Sequence, residues 1–403
     1  MKIFITADWH IGKKLHNEDL AEDILLFFHW LLNKIEEQSI DYLLVAGDIF
    51  DHHNPSNEAT KMYYSFLRQL NQVKCKAIII AGNHDSPSFI DVPKELLNVF
   101  DIQVVGTFPG IDKVEQIFIP LIDKQGEQVA VVAAIPFLQD RFIRQVGEGE
   151  GAKEIGEKIK QGMKAIFSSI GEKMQDQYPS IPKIAIAHLS AQGTEISEAE
   201  REIQIGNQEG IPSEDLNCFD YLGLGHIHTG QTVIPGKVQY ASSPISLGFT
   251  ENTYNHKVIQ LEIIENAIQE SFIPIPKNRS LYQVSGNMTE VEQKVKSLQN
   301  KHSLQALLDI KIEEPIFEAS VSDRLETLNN ELAAENRIKI INTRILFADK
   351  SSQRISATYD PEELNNLNPI KVIEDLLSSR PDEEEKKILL ERFSAIYADI
   401  NQK

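Results

Sequence analysis

Along the first part of the chain, short apolar runs alternate with stretches in which apolar residues recur every three or four positions. Lys2–Thr6, Tyr42–Ala46 and Ala77–Ile80 read as strands, and Glu18–Gln38 and Asn57–Asn71 carry the spacing of amphipathic helices. Further strands are expected at Gln103–Val105, Gln116–Pro120, Gln128–Ile135, Lys183–Ala187, Tyr221–Leu224, Lys237–Tyr240 and Lys257–Ile264, with a helix over Ala152–Gln177. This alternation predicts an α/β domain, residues 1–275, whose sheets are covered by helices, ending at Ile273-Pro274-Ile275-Pro276. A smaller α/β unit, residues 276–349, follows with the order strand (Ser280–Ser285), helix (Thr289–Lys301), strand (Ala306–Ile312), helix (Ser322–Ala334), strand (Ile338–Leu346). Residues 350–403 read as a polar linker and two helices, Pro369–Ser379 and Pro381–Asn401, with Ile370, Ile373, Leu377, Leu389, Phe393, Ile396 and Ile400 at helical spacing.

Charge narrows the function classes. The 403 residues hold 60 acidic and 40 basic side chains, a formal net charge of −20, of which −13 falls in residues 1–250 and −7 in the rest. No part is basic, which argues against binding nucleic acid through bulk positive charge but not against acting on it through metal ions. The two cysteines, Cys75 and Cys218, form no CxxC pair, so neither a disulfide framework nor a structural zinc site is expected, and a cytoplasmic setting fits. The N-terminal run is too short for a signal peptide, and no apolar stretch approaches the roughly 20 residues that span a bilayer.

The chemistry lies at the strand ends. Asp8-Trp9-His10 follows the first strand, Gly47-Asp48-Ile49-Phe50-Asp51 the second and Gly82-Asn83-His84-Asp85 the third; His188 ends a fourth and Gly225-His226-Ile227-His228 a fifth. In α/β sheets the carboxyl ends of the strands form the rim where ligands bind. Asp8, His10, Asp48, Asn83, His188, His226 and His228 make seven potential ligands of nitrogen and oxygen type with no thiolate, a set that suits Mn²⁺, Fe²⁺ or Zn²⁺. Seven is right for two ions sharing one carboxylate, the arrangement that phosphoester hydrolysis uses.

These segments resemble the signature of the calcineurin-like metallophosphoesterases. Ala7-Asp8-Trp9-His10-Ile11-Gly12, His188-Leu189-Ser190-Ala191 and Ser243-Pro244-Ile245-Ser246-Leu247 with Phe249 are similar, more narrowly, to the DNA nucleases of that family. The resemblance implies a two-sheet sandwich flanked by helices, with residues 276–349 as a capping domain. It implies two divalent ions, Mn²⁺ foremost: Asp8, His10 and His228 on one, Asn83, His188 and His226 on the other, and Asp48 between them. His84 would stabilise the transition state or protonate the leaving oxygen, a role suited to a histidine, with Asp85 orienting its ring. His52 and His53 read as loop residues near the site. The implied activity is ATP-dependent exonuclease cleavage of duplex ends and endonuclease cleavage of single strands and hairpins. The chain would act as a homodimer within a heterotetramer, partnered by a coiled-coil ATPase of the structural-maintenance type that docks on residues 350–403. The sequence contains no GxxxxGK[ST] motif of its own. A two-metal phosphodiesterase or phosphatase acting on small or protein substrates is the alternative.

Overall fold

The computed structural model describes residues 1–143, 152–195, 210–316 and 320–347, together with a few positions between 386 and 393. The expected terminal helices fall almost wholly outside these residues. Two six-stranded sheets organise the larger part. The first contains β1 (Lys2–Thr6), β2 (Tyr42–Ala46), β3 (Lys76–Ile80), β4 (Ile102–Val105), β11 (Lys257–Ile264) and β12 (Ala267–Pro274) in the order β12-β11-β1-β2-β3-β4. The second contains β5 (Phe118–Ile122), β6 (Gln128–Ile135), β7 (Lys183–His188), β8 (Tyr221–Gly225), β9 (Thr232–Ile234) and β10 (Val238–Tyr240) in the order β9-β10-β8-β7-β6-β5.

The strands nearest the site run parallel. Ile5 sits beside Leu44 and Leu44 beside Ile78 in the first sheet, and Gly225 beside His188 in the second. Parallel strands present their carboxyl ends on one edge, so each sheet delivers several strand ends to the same rim. The side chains alternate between two cores. Ile3, Ile5, Leu44, Ala46, Ile78 and Ile80 join the core shared with the second sheet; Phe4, Leu43, Val45, Ala77 and Ile79 face α1 (Ala21–Gln38) and α2 (Asn57–Gln72). The shared core also takes in Ile159, Met163, Ile166, Phe167 and Ile170 of α3 (Ala152–Gln177), spaced three or four apart as one apolar helix face requires. Being buried on both faces is why the central strands read as unbroken apolar runs. The sheets come close at Gly223, where a Cβ would lie 2.9 Å from Ile5 Cδ1.

Most expected elements are present within one to three residues, and three differ instructively. The helix expected from Glu18 begins at Ala21, because Glu18–Asp19 pairs with Lys14–Leu15 as a small hairpin and the Asp19 carboxylate accepts the Ala21 N–H at 2.7 Å. The strand expected from Gln116 starts at Phe118, after a 3₁₀ stretch from Ile111 to Ile117. Strand β12 has no counterpart among the expected elements. It is an edge strand with little burial, joined to β11 by Glu265 and Asn266, both at positive φ (48° and 67°). That two-residue turn is normally signalled by glycine, which is missing here.

A third sheet orders β13 (Leu281–Gly286), β14 (Ala306–Glu314) and β15 (Ile338–Phe347) side by side, accompanied by α4 (Met288–Ser297) and α5 (Ser320–Glu335). By compactness Met1–Val284, Lys296–Ile310 and Leu328–Thr343 belong to one unit, and Ser285–Val295 and Lys311–Thr327 to another. Within the first unit, Arg279 Nε donates to both carboxylate oxygens of Asp23 at 3.0 and 2.8 Å while its Nη1 reaches the Gln305 carbonyl at 2.8 Å. Both side chains are buried, and burial pushes the Asp23 carboxyl upward against the pull of Arg279. Asp23→Ala strands a buried guanidinium and should cost about 3–5 kcal/mol in urea unfolding, whereas replacing both residues with apolar ones should recover most of that loss.

Candidate metal centre

The loops after β1 and β2 are zipped together. Asp8 N–H donates to Gly47 O and His10 N–H to Asp48 O, each at 3.0 Å. Asp8, His10 and Asp48 are all held at positive φ, 53°, 45° and 50°, a conformation uncommon outside glycine and sustained only when the surroundings over-determine it. The strain turns three side chains toward one point. Backbone clearance beneath that point demands glycine. A Cβ on Gly82 would sit 2.1 Å from Asp48 Oδ1, and one on Gly47, itself at φ 91°, would lie 2.4 Å from His188 Nδ1.

The ligand atoms converge in three groups, each with all its atoms within 4.8 Å: Asp8, His10 and His228; His10, Asp48 and His84; Asp48, His188 and His226. Asn83 joins the last, its Oδ1 lying 2.9 Å from His188 Nε2 and 2.8 Å from His226 Nδ1. All seven residues singled out from the strand ends are thus brought together, with Asp48 reaching toward both sides. Asp48 Oδ2 is 3.5 Å from His10 Nε2 and 3.3 Å from His188 Nε2.

Three histidines are anchored through Nδ1 to an oxygen acceptor: His10 to Asp51 Oδ1 at 3.2 Å, His188 to the Ala46 carbonyl at 2.9 Å and His228 to Glu251 Oε1 at 2.7 Å. An Nδ1–H donated outward leaves the Nε2 lone pair facing inward, the pattern of metal-ligating histidines. Among the described residues, the buried side-chain polar atoms with no hydrogen-bond partner are Asp8 Oδ2, His10 Nε2 and Tyr63 Oη. Two of these three lie in the centre, and orphaned buried polar atoms are costly unless something else satisfies them. A donor set of carboxylates, imidazoles and one amide oxygen, with two atoms left open, fits divalent cations.

The electrostatics agree. Burial pushes the Asp8 carboxyl up to about 7 despite the neighbouring His188 and His228. Burial lowers His10 to about 4 and His226 to about 3, keeping both neutral as ligands must be. Burial opposes the charge on His188 too, but the Asp48 and Asp8 carboxylates outweigh it and lift His188 to about 9. The site holds carboxylates close together in a water-poor setting, and nearby cationic charge relieves it.

The remaining sequence-level candidates sort differently. His84 donates its Nδ1–H to the Asp51 carbonyl at 2.8 Å, and its ring centroid is 4.7 Å from that of His10. The expected contact between Asp85 and the His84 ring is replaced by another. Asp85 is buried beneath the loops and accepts backbone N–H groups of Gly82, Ile49 and Phe50 at 2.8–3.0 Å. Those donors turn the carboxylate away from the adjacent ring, so Asp85 braces the loops and Asp51 orients His84. Asp51 also pairs with Lys13 at 3.2 Å. His52 lies 3.3 Å from Asp51 Oδ2 with its side chain largely in solvent, and His53 is exposed. Glu251, which no motif pointed to, is fully buried against His228. Its sole sequence signal is a carboxylate standing two residues beyond Phe249.

The calcineurin-like phosphoesterase family matches residues 1–230. The chain belongs to that family. Curated relatives named as the SbcD component of the nuclease SbcCD include one from Rhodobacter capsulatus, 31% identical over 286 residues covering 69% of this chain and 70% of the relative. Another, from Escherichia coli strain K12, is 26% identical over 387 residues covering 91% of this chain and 90% of the relative. As a calcineurin-like phosphoesterase the chain is a metal-dependent phosphoester hydrolase whose centre takes two divalent ions. Among the described residues, no helix is long and apolar enough to cross a membrane.

Proposed function

We propose that this calcineurin-like phosphoesterase hydrolyses DNA phosphodiesters as the nuclease component of an SbcCD-type complex. The observation that carries the reading is the convergence of seven ligand residues around Asp48 in a chain that aligns nearly end to end with a relative named as that nuclease component. Asp8, His10 and His228 would hold one ion, Asn83, His188 and His226 the other, and Asp48 both; the nitrogen and oxygen donors favour Mn²⁺ among cytoplasmic metals. When bound, two such ions about 3.5–4 Å apart supply an activated water and neutralise charge on the attacking and leaving oxygens. His84, locked through Nδ1, offers Nε2 to the phosphate or the leaving oxygen. Lys13 and Asp51 hold the rings of His10 and His84 in place while substrate enters.

The acidic surface implies that duplex affinity comes from a partner and from the ions rather than from this chain's own charge. We assign the partner as the SbcC-type coiled-coil ATPase, docked on residues 350–403, in an assembly built on two copies of this chain; residues 276–349 would cap the cleft. The test of substrate is cleavage of a hairpin oligonucleotide against an aryl phosphodiester in Mn²⁺: preference for the hairpin supports the nuclease reading, and activity confined to the aryl ester overturns it in favour of a small-molecule phosphodiesterase. For the partner, deletion of residues 350–403 should abolish co-purification with the ATPase while leaving single-strand cleavage intact. Loss of both together would count against a docking role.

A further inference from the structure

The segment Ser243-Pro244-Ile245-Ser246-Leu247 with Phe249 stands out in the sequence yet supplies none of the seven ligands. The structure shows what it builds. Ser243 N–H donates to the His228 carbonyl at 3.0 Å, and the Ser243 hydroxyl donates to Ile245 O at 2.9 Å. The Ser246 hydroxyl donates to the Glu251 carbonyl at 3.2 Å and lies 3.2 Å from the buried His256 ring. The loop therefore folds into a cradle whose centre is Glu251, fully buried on the 3₁₀ turn Phe249–Thr253. Its two carboxylate oxygens are divided: Oε2 accepts Leu247 N–H at 2.7 Å, and Oε1 meets His228 Nδ1 at 2.7 Å.

We propose that Glu251 is a positioning residue that fixes the tautomer of His228, and that the Ser243–Glu251 cradle exists to hold it there. The inference rests on the two-metal reading of the site. An ionised carboxylate has acceptors only, so with Oε2 committed to a backbone N–H, Oε1 requires a proton on Nδ1 of His228. Nε2 is then the lone-pair nitrogen, and it faces Asp8 and His10. Glu251 thus does for His228 what Asp51 does for His10 and the Ala46 carbonyl for His188, and outer partners of this kind orient the ring and raise its basicity.

Glutamine at this position separates positioning from packing, because it keeps the shape and changes one acceptor into a donor. Leu247 N–H still demands the amide oxygen, so the amide NH₂ of Glu251→Gln is turned toward His228 Nδ1 and favours the tautomer protonated on Nε2. The experiment uses full-length protein labelled with ¹⁵N-histidine. Long-range ¹H–¹⁵N spectra without metal should show His228 protonated on Nδ1 in the wild type and on Nε2 in Glu251→Gln. Titration with Co²⁺, followed by visible absorption, should show two sites in the wild type, with one weakened ~10–100-fold in the variant and the other unchanged. A wild-type His228 carrying its proton on Nε2 overturns the proposal by itself, whether or not the variant folds. Two sites of wild-type affinity in Glu251→Gln overturn it as well. Fewer than two Co²⁺ sites in the wild type would instead overturn the two-metal reading on which it rests.

Discussion

Replacing Asp48 with alanine should strip the centre of metal. Asp48 is the carboxylate that faces both sides: Oδ2 lies within 3.5 Å of His10 and of His188, and Oδ1 accepts the His84 N–H at 2.9 Å. One substitution therefore removes a candidate ligand from each ion and loosens the loop carrying His84. Loss of an outer-shell partner typically weakens metal binding 10–100-fold, and loss of a shared direct ligand should exceed that, so affinity is expected to fall more than ~100-fold. Mn²⁺ that binds only the folded state stabilises it by about 2.7 kcal/mol at a hundred times its dissociation constant. The wild type should accordingly show a thermal midpoint that climbs with Mn²⁺, and Asp48→Ala should show a nearly flat one, together with loss of phosphodiester cleavage. A variant that still takes up two equivalents of metal would remove Asp48 from the role assigned to it.

His84→Gln should have the opposite signature. The ring is partly exposed at the rim and is tied through Nδ1 to the Asp51 carbonyl. Glutamine retains a hydrogen-bonding side chain of similar reach but cannot transfer a proton. Both metals should bind with near wild-type affinity while cleavage falls by about 10²–10⁴, the span that positioned acid–base groups contribute. The decisive comparison is between substrates. A phosphodiester with a good leaving group, such as a nitrophenyl ester, needs little protonation and should lose much less rate than DNA does. An equal loss on both would mean that His84 stabilises charge on the phosphate rather than protonating the leaving oxygen. An empty centre in the variant would make His84 a ligand, a role its closeness to His10 and Asp48 would permit.

Set side by side, the two substitutions distinguish ligand from acid in a site where both are histidine-rich and buried together. The Glu251 experiment adds a third level, an atom that touches neither substrate nor metal but decides which nitrogen of His228 faces inward.

What the sequence by itself determined was the set of ligands and the sheets that present them. Asp8, His10, Asp48, Asn83, His188, His226 and His228 were legible because each stands at the carboxyl end of an apolar run, and parallel strands bring such ends to one rim. Strand and helix periods are local properties, so most elements fell close to their expected places. The tertiary structure decided everything that depends on contacts between distant residues. Asp85, expected beside the His84 ring, instead braces the backbone of Ile49 and Phe50, and the neighbouring loop's Asp51 holds the ring. Glu251 meets His228 across 23 positions, and Arg279 meets Asp23 across 256. Strand β12 exists because β11 offers it an edge through a turn with no glycine to announce it. A hydrogen bond is set by the geometry of two backbones that the fold brings together, and neither side's local pattern records the other.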